Sequence, residues 1–214
     1  MKKFPVLLLL LSFAIVGCKS NEEKAADLIK KELSKSLFDF ESYSPIETTV
    51  TEAKHSVFTD TAFFKSANTI LFALNVAKEV LESVSEAEEG MNLWGMPTYS
   101  SSSYSDKKYY KYKEEYDECI EKFFGTWLVI KSMEKDLKDT LQTIDPEKVV
   151  GWEVIHKFRC KTKGGYSSIA NYRYIIDNNF KKVLLYEDME DDDYEKLRVV
   201  INRVVNEGLT TDDL

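Results

Sequence analysis

The sequence predicts an α+β fold: an N-terminal hairpin of two long helices packed on a C-terminal three-stranded antiparallel meander with a closing helix. Two long stretches in the first two thirds of the chain repeat apolar residues every three or four positions, a pattern typical of helices. Residues 152–186 instead alternate apolar and polar residues, as half-buried strands do. Helices and strands therefore occupy separate parts of the chain, which is the arrangement of α+β proteins.

The first helix is expected at residues 22–38, before the break at Ser44-Pro45, because the residue before a proline disfavours helix. Its stripe consists of Ala26, Ile29, Leu33 and Leu37. The segment 46–57 is ambiguous. Its threonines favour a strand, whereas the spacing of Val50, Ala53 and Val57 fits one face of a helix.

Asp60 can cap a helix that continues to about Glu89, and Gly90 suits its end. Residues 91–105 are a predicted loop, and a second long helix covers about 106–144. The apolar stripe of that helix is interrupted at Glu134. Two long amphipathic helices joined by a loop are expected to pack as an antiparallel hairpin.

The sheet is expected after Asp145-Pro146, where the apolar period changes to two. Strands are predicted at 152–160, 171–176 and 181–186, and the short connections between them favour an antiparallel meander. The closing helix is predicted at 191–206. Because no clean boundary separates the two halves, we expect one domain over residues 25–214.

The amino terminus has the three zones of a cleaved export signal. Lys2 and Lys3 are followed by an apolar run from Phe4 to Val16, which is shorter than the ~20 residues that span a bilayer. The sequence Ile15-Val16-Gly17-Cys18 then resembles the lipobox of bacterial lipoproteins. The resemblance implies cleavage of residues 1–17 between Gly17 and Cys18, diacylglycerol on the Cys18 sulfur and an amide-linked acyl chain such as palmitate. Residues 18–24 would form a lipidated tether to the membrane.

The residues after Cys18 bear on location. Lys19 argues against retention in an inner membrane, so we expect the lipid to lie in the outer membrane. Glu22 and Glu23 resemble the surface-export signal of Bacteroidetes lipoproteins; alternatively they only begin the first helix, where acids favour the positive end of the dipole. The periplasmic face and the cell surface both remain open.

Two further segments, 37–47 and 151–159, resemble stretches of outer-membrane lipoproteins of Bacteroidetes. That resemblance implies a cell-envelope location and supplies no activity.

Composition narrows the classes of partner. The formal net charge is −8 and the isoelectric point is about 5.0, which disfavours nucleic acid and anionic lipid headgroups because both require a basic surface. The 43% hydrophobic content excludes global disorder.

Histidine and cysteine are scarce. His156 falls on the apolar face of its strand, where a catalytic base would need a cleft and an orienting carboxylate; the alternative is a buried histidine. His55 is expected to be exposed. Cys119 and Cys160 could form one disulfide in an exported protein, or remain two buried thiols. With no closely spaced Cys and His ligands, we predict neither a metal nor another cofactor.

The densest acidic run, 187–193, could offer oxygen ligands to calcium, but it lacks the glycine of an EF-hand loop, and acids that lead into a helix need no ion. The best candidates for ligand binding are Trp94 and Tyr99 in the predicted loop, since exposed aromatics stack on sugars or anchor protein partners. Tyr109, Tyr112 and Tyr116 match the core stripe instead.

Catalytic sequence signatures such as Gly-x-Ser-x-Gly, His-Glu-x-x-His and the P-loop do not occur. We therefore expect a non-enzymatic binding or interaction protein with a glycan or protein partner. The alternative is an envelope hydrolase that acts on glycan or peptide through carboxylates. A deep pocket with two facing carboxylates would favour the enzyme.

Overall fold

The computed structural model describes residues 19–214, so the predicted signal, with Gly17 and Cys18, lies outside the described residues. Within 19–214 the fold is α+β, with four α-helices and a four-stranded antiparallel sheet. The described residues divide into two compact units, one of those up to Lys54 with Lys148–Glu190 and one of His55–Glu147 with Asp191–Leu214. A single domain over 25–214, and packing of the helical hairpin on the sheet, stay predictions.

The first unit contains one helix and the whole sheet. Helix α1 is Asn21–Ser36, and a short 3-10 turn follows at Phe40–Ser42. The strands run in the order β1-β2-β3-β4, all antiparallel. Their bounds are Ser44–Lys54 (β1), Val149–Lys161 (β2), Ser167–Ile176 (β3) and Val183–Asp188 (β4).

Helix α1 begins inside the segment predicted as a tether. The Ser20 hydroxyl accepts from the backbone N–H of Glu23 at 3.2 Å, and the Glu23 carboxylate accepts from the backbone N–H of Ser20 at 3.0 Å. This capping box satisfies amides that a helix start leaves unpaired. The acids after Cys18 thus have the local role of starting a helix.

The prediction of three strands was wrong, because the ambiguous segment is a fourth strand. Strand β1 pairs with β2 so that Val50 lies opposite Val154 and Thr48 opposite His156. Threonine and valine suit a pleated surface, and the partner edge of β2 decides between the two patterns that the segment carries. The sheet therefore begins at β1, before the helical hairpin in the chain.

One face of the sheet is covered by α1. Ala25, Ile29 and Leu33 of the helix are buried with aromatic and aliphatic residues of β2 and β3. The strand members of this core are Val154, Phe158, Tyr174 and Ile176. Burial of each large apolar side chain contributes about 1.5–3 kcal/mol. The core of the first unit is therefore formed jointly by α1 and strands β2 and β3.

The second unit consists of three helices. Helix α2 is Thr61–Trp94, α3 is Ser103–Leu141 and α4 is Asp192–Asn206. The carboxylate of Asp60 caps α2 by accepting from Phe63 N–H at 2.7 Å, as predicted. Helix α2 packs along α3 and also contacts α4. No helix within residues 19–214 has the length and apolar composition needed to cross a bilayer.

Gly90 does not end α2, which continues to Trp94. It is buried inside the helix, and a Cβ built there would lie 2.4 Å from Cδ1 of Tyr112 on α3. The absence of a side chain at Gly90 thus makes room for the Tyr112 ring. Gly95 follows the last helical residue with a positive φ of +67°, a backbone conformation that glycine adopts without steric cost.

Candidate functional site

The most distinctive cleft of the first unit has tyrosine walls and a volume of about 320 Å³. The last turns of α1 form one side and strands β3 and β4 form the other. The lining residues are Glu32, Leu33, Lys35, Ser36, Tyr172, Tyr174, Val183 and Tyr186. We refer to it as the tyrosine cleft.

Strand geometry brings the three tyrosines together. Tyr172 and Tyr174 are two positions apart on β3 and therefore face the same side of the sheet. Tyr186 on β4 pairs directly with Tyr174. The ring centroids lie 6.1 Å (172–174), 6.5 Å (172–186) and 6.3 Å (174–186) apart. The result is a continuous aromatic surface across two strands.

Exposure increases across this surface. Tyr174 is 3% exposed and forms part of the floor, Tyr172 is half-buried, and Tyr186 is 65% exposed on the edge strand. A ring exposed to this degree loses water readily to a ligand that offers an apolar face. The cleft thus combines a fixed floor with an accessible aromatic wall.

The hydroxyls of Tyr172 and Tyr174 stay protonated near pH 7. Burial, together with the nearby Asp188 carboxylate, raises the pKa of Tyr172 to about 12. Burial also raises the pKa of Tyr174. On the opposite side, Lys35 Nζ pairs with Glu32 Oε1 at 2.8 Å. The tyrosine cleft therefore contains the uncharged phenol groups of Tyr172 and Tyr174 beside the ion pair of Lys35 and Glu32.

His156 is fully buried, as one of the sequence alternatives had it. Its Nε2 lies 2.9 Å from the Tyr43 hydroxyl and its Nδ1 lies 2.9 Å from the Thr48 hydroxyl. Burial lowers its pKa to about 4, so the ring is neutral near pH 7. Both ring nitrogens are paired with hydroxyls rather than with a carboxylate, which is the arrangement of a structural histidine.

His55 is buried, and its expected exposure was wrong. The backbone N–H of Asp145 donates to His55 Nδ1 at 3.2 Å, so Nε2 carries the proton and donates to Asp60 Oδ2 at 3.0 Å. Only 8% of His55 is exposed. Through these two hydrogen bonds the ring connects Asp60, the cap of α2, to the segment that follows α3. This contact explains a histidine in a segment that the sequence pattern left undefined.

Trp94 and Tyr99 have separate surroundings. Trp94 is the last residue of α2 and half-buried, with its ring edge-on to Tyr104 at 5.5 Å between centroids. Tyr99 is fully exposed in the connection between α2 and α3. The placement of Trp94 in a loop was therefore wrong. A ligand-binding role for the two residues stays a prediction.

Cys119 and Cys160 are free thiols in the structure, each half-buried, and they belong to different units. Burial raises the pKa of the Cys160 thiol, and the carboxylate of Asp39 adds to that effect. A raised pKa disfavours the thiolate that acts as nucleophile or metal ligand. Cys160 is therefore poorly suited to covalent catalysis.

The acidic run uses its oxygens locally. Glu187 pairs with the buried Arg173 at 2.5 Å. Asp188 accepts from Glu190 N–H at 3.1 Å, and Asp191 accepts from Asp193 N–H at 2.9 Å as the cap of α4. Within residues 19–214 no three His, Cys, Asp or Glu side chains form a group that could hold a metal ion.

A second cleft, of about 400 Å³, lies within the second unit between α2 and α4. Its floor is aliphatic, with Leu71, Leu74 and Val200. Asp213 also lines it, but its carboxylate accepts from Thr210 N–H at 2.7 Å. The polar residues Asn75, Lys78 and Glu195 also line it, but it has no aromatic ring among its lining residues, unlike the tyrosine cleft.

The tyrosine cleft was missed by the sequence analysis, although its signal was present. The alternation of Tyr172 and Tyr174 marked one strand face, and Tyr186 ended the next predicted strand. What could not be read from the pattern was the register that places Tyr186 opposite Tyr174, or the position of α1 beside them. Comparison of the chain with protein-family models, with curated proteins and with solved structures finds no match.

Proposed function

We propose that the chain is a lipoprotein of the outer membrane, anchored through lipid on Cys18, whose folded part is a non-enzymatic binding protein that takes a glycan in the tyrosine cleft. The observation that supports the binding role best is the set of three tyrosine rings that line one cleft. The lipobox-like end of residues 1–18 supports the anchor and the envelope location. Both orientations of the anchored protein, toward the periplasm or the cell surface, are compatible with the proposal.

Sugar rings suit this surface for two reasons. A pyranose presents C–H groups on one face and hydroxyls around its edge, so it can lie on an aromatic ring and exchange hydrogen bonds at the same time. Here Tyr186 offers the exposed ring, while Tyr172 and Tyr174 remain neutral phenols. A volume of about 320 Å³ lies within the range of small-ligand sites, ~300–1,000 Å³.

The alternative of a hydrolase has less support. The carboxylate among the residues that line the tyrosine cleft is Glu32, and it pairs with Lys35. The second cleft has two carboxylates among its lining residues, Glu195 and Asp213, and Asp213 already accepts from Thr210 N–H and pairs with Arg203. Glycoside hydrolysis by two carboxyl groups requires both to face one bond, ~5–9.5 Å apart. The described clefts favour binding.

The test compares two exposed tyrosines of the same unit. Tyr186→Ala removes the accessible wall of the cleft, and Tyr166→Ala removes a ring that is 78% exposed near the turn at Gly164-Gly165 and outside the cleft. The mature protein, kept in detergent, is applied to an array of defined oligosaccharides, and affinity for the best ligand is then measured by calorimetry. We expect Tyr186→Ala to weaken binding by about tenfold, ~1.4 kcal/mol, and Tyr166→Ala to leave it unchanged.

Two results would contradict the glycan assignment. One is the absence of any oligosaccharide that binds the unmodified protein. The other is equal weakening by both substitutions, which would show that the cleft is not the site. If no sugar binds but a photoreactive group at position 186 crosslinks a protein in intact cells, the partner is a protein and the glycan proposal is wrong.

A further inference from the structure

The first unit has a basic concavity beside its amino terminus. It has a volume of about 440 Å³ and lies between α1 and the turn that joins β3 to β4. Four lysines line it, Lys19, Lys24, Lys31 and Lys181, against one carboxylate, Asp27. We refer to these residues as the lysine concavity.

Three of the four lysines have no carboxylate of residues 19–214 at ion-pair distance, although the Asp177 carboxylate interacts electrostatically with Lys181. Lys19 pairs with Asp27. Lys24, Lys31 and Lys181 make no ion pair with a carboxylate of residues 19–214. Lys31 and Lys181 are exposed, and Lys24 Nζ lies 5.7 Å from the ring centroid of Phe180. Positive charge is thus concentrated at one place on a chain whose net charge is −8.

The turn that carries Lys181 is held in a defined conformation. Asp177 Oδ1 accepts from the backbone N–H groups of Lys181 and Lys182, at 2.6 and 2.7 Å. Phe180 adopts φ +55°, which is uncommon for a bulky residue, and its ring stacks on Trp152 at 5.4 Å between centroids. These contacts fix the turn, so Lys181 is presented beside α1 rather than on a mobile loop.

The position of the lysine concavity close to Cys18 determines which molecules it can bind. Lys19 directly follows Cys18, and α1 begins at Asn21. In a chain acylated on Cys18, the three residue steps from Cys18 to Asn21 span only ~10 Å in extended conformation, so the start of α1 lies at the headgroup layer. The net negative charge of the whole chain does not cancel the local one, because charges more than ~8–10 Å away are screened at physiological salt.

We propose that the lysine concavity binds the anionic phospholipid headgroups of the membrane in which the chain is anchored. The inference rests on the proposed lipid anchor, and it revises the expectation that this acidic chain avoids anionic lipid. Lys24, Lys31 and Lys181 would contact headgroup phosphates and so orient the first unit at the bilayer. Each lysine at a membrane surface strengthens binding by roughly fivefold.

The test measures the chemical accessibility of single lysines. The mature protein is reconstituted into vesicles of phosphatidylcholine alone, or of phosphatidylcholine with phosphatidylglycerol, and treated with an amine-acetylating reagent before mass spectrometry. We expect Lys24, Lys31 and Lys181 to be protected severalfold in the anionic vesicles and to regain reactivity at high salt. Lys163, exposed on the turn between β2 and β3, is the internal control and should react equally in both.

Variants separate this inference from the anchor itself. Lys24→Gln with Lys31→Gln should reduce the protection of Lys181, whereas Lys163→Gln should not change it. Equal acetylation in both vesicle types, with the protein still vesicle-bound, would overturn the inference and leave the anchor intact. If inorganic phosphate in solution protects the lysines equally in neutral vesicles, the site takes a free anion and the membrane assignment is wrong.

Failure of the anchor would be visible separately. Flotation of the protein with neutral vesicles tests the acyl chains alone, since no anionic headgroup is present. A protein that does not float with neutral vesicles lacks the anchor. If it then floats with anionic vesicles and loses this with Lys24→Gln and Lys31→Gln, the concavity is confirmed without the anchor. If it floats with neither, both proposals are wrong.

Discussion

Glu134 Oε1 accepts a hydrogen bond from the backbone N–H of Leu209 at 3.3 Å, and the carboxylate is 3% exposed. Lys138 Nζ lies 2.7 Å from the same oxygen, and Lys131 pairs with the other. Lys131 also donates to the Leu209 carbonyl at 3.0 Å. An acid that interrupts an apolar stripe therefore attaches the segment after α4 to helix α3.

Replacement of Glu134 by glutamine is expected to destabilise the protein by about 1–3 kcal/mol. The change keeps an acceptor for Leu209 but removes the charge that two lysines face, and charge-assisted hydrogen bonds are about twice as strong as neutral ones. Chemical denaturation measures the difference. Glu118→Gln, on an exposed position of the same helix, should stay within about 0.5 kcal/mol of the unmodified protein. Similar losses for both variants would refute the role of Glu134.

The same carboxylate predicts a response to acid. Burial alone would raise the pKa of Glu134, but Lys131, Lys138 and the Leu209 amide outweigh it and hold the pKa below its ordinary 4.5. The folded state thus binds this proton less readily than the unfolded chain. The contribution of the Glu134 charge to the free energy of unfolding is fully present above pH 4.5. It is lost as the pH falls through the lower pKa that Glu134 has in the folded state. Stability curves of the unmodified protein and Glu134→Gln should therefore converge in that acid range; a constant gap would contradict this.

His156 predicts a second, separate pH window. Its pKa falls from 6.5 in the unfolded chain to about 4 in the folded protein because the ring is buried. On acidification the unfolded state takes up the proton first. The contribution of the neutral His156 ring to the free energy of unfolding is therefore fully present above pH 6.5 and decreases between pH 6.5 and 4, by up to about 3 kcal/mol. In His156→Gln that decrease should be absent. Parallel profiles of the two proteins over this window would show that His156 is not its source.

Gly90 and Gly125 form a matched pair of helix glycines. Gly90→Ala places a methyl group against the Tyr112 ring and should cost about 1–3 kcal/mol. Gly125→Ala meets nothing within 4 Å and should stabilise α3 by about 0.5–1 kcal/mol, because alanine favours helix. Thermal unfolding distinguishes the signs. If Gly90→Ala is as stabilising as Gly125→Ala, α2 and α3 do not approach at this point.

The anchor has a direct chemical test. Cys18→Ala should abolish incorporation of a radioactive fatty acid in cells and release the protein from the membrane fraction, since the thiol that accepts diacylglycerol is gone. Mass spectrometry of the amino-terminal peptide of the unmodified protein provides the control. Labelling that persists in the variant would refute lipidation at Cys18.

Local sequence patterns predict a helix or strand correctly where its apolar residues repeat with a single clear period. Strand β2 was expected at 152–160 and occupies Val149–Lys161, and the cap at Asp60 was read from its position before an apolar stripe. Strand β1 could not be assigned, because its residues fit two periods and only pairing with β2 distinguishes them. Likewise, Gly90 has the same local signature whether it ends a helix or admits the Tyr112 ring.

The candidate site was less accessible to sequence reasoning. Its residues come from α1 and from β3 and β4, which follow α1 by more than a hundred positions. Strand register and the placement of the helix bring them together. Trp94 and Tyr99 are predicted as ligand-binding residues because aromatic side chains in a loop are expected to be exposed. Helix α2 continues through Trp94, and its packing on Tyr104 covers part of that ring.

The capping box at Ser20 also restricts motion. In an acylated chain, a helix that begins three residues after Cys18 leaves almost no slack between bilayer and globule. Ligands would have to diffuse to the lipid surface, because the protein cannot extend outward to capture them. Insertion of a flexible glycine-serine spacer after Lys19 would increase the distance that the folded part can reach from the bilayer. It should change the rate at which the protein meets its ligand and leave the intrinsic affinity for the ligand the same.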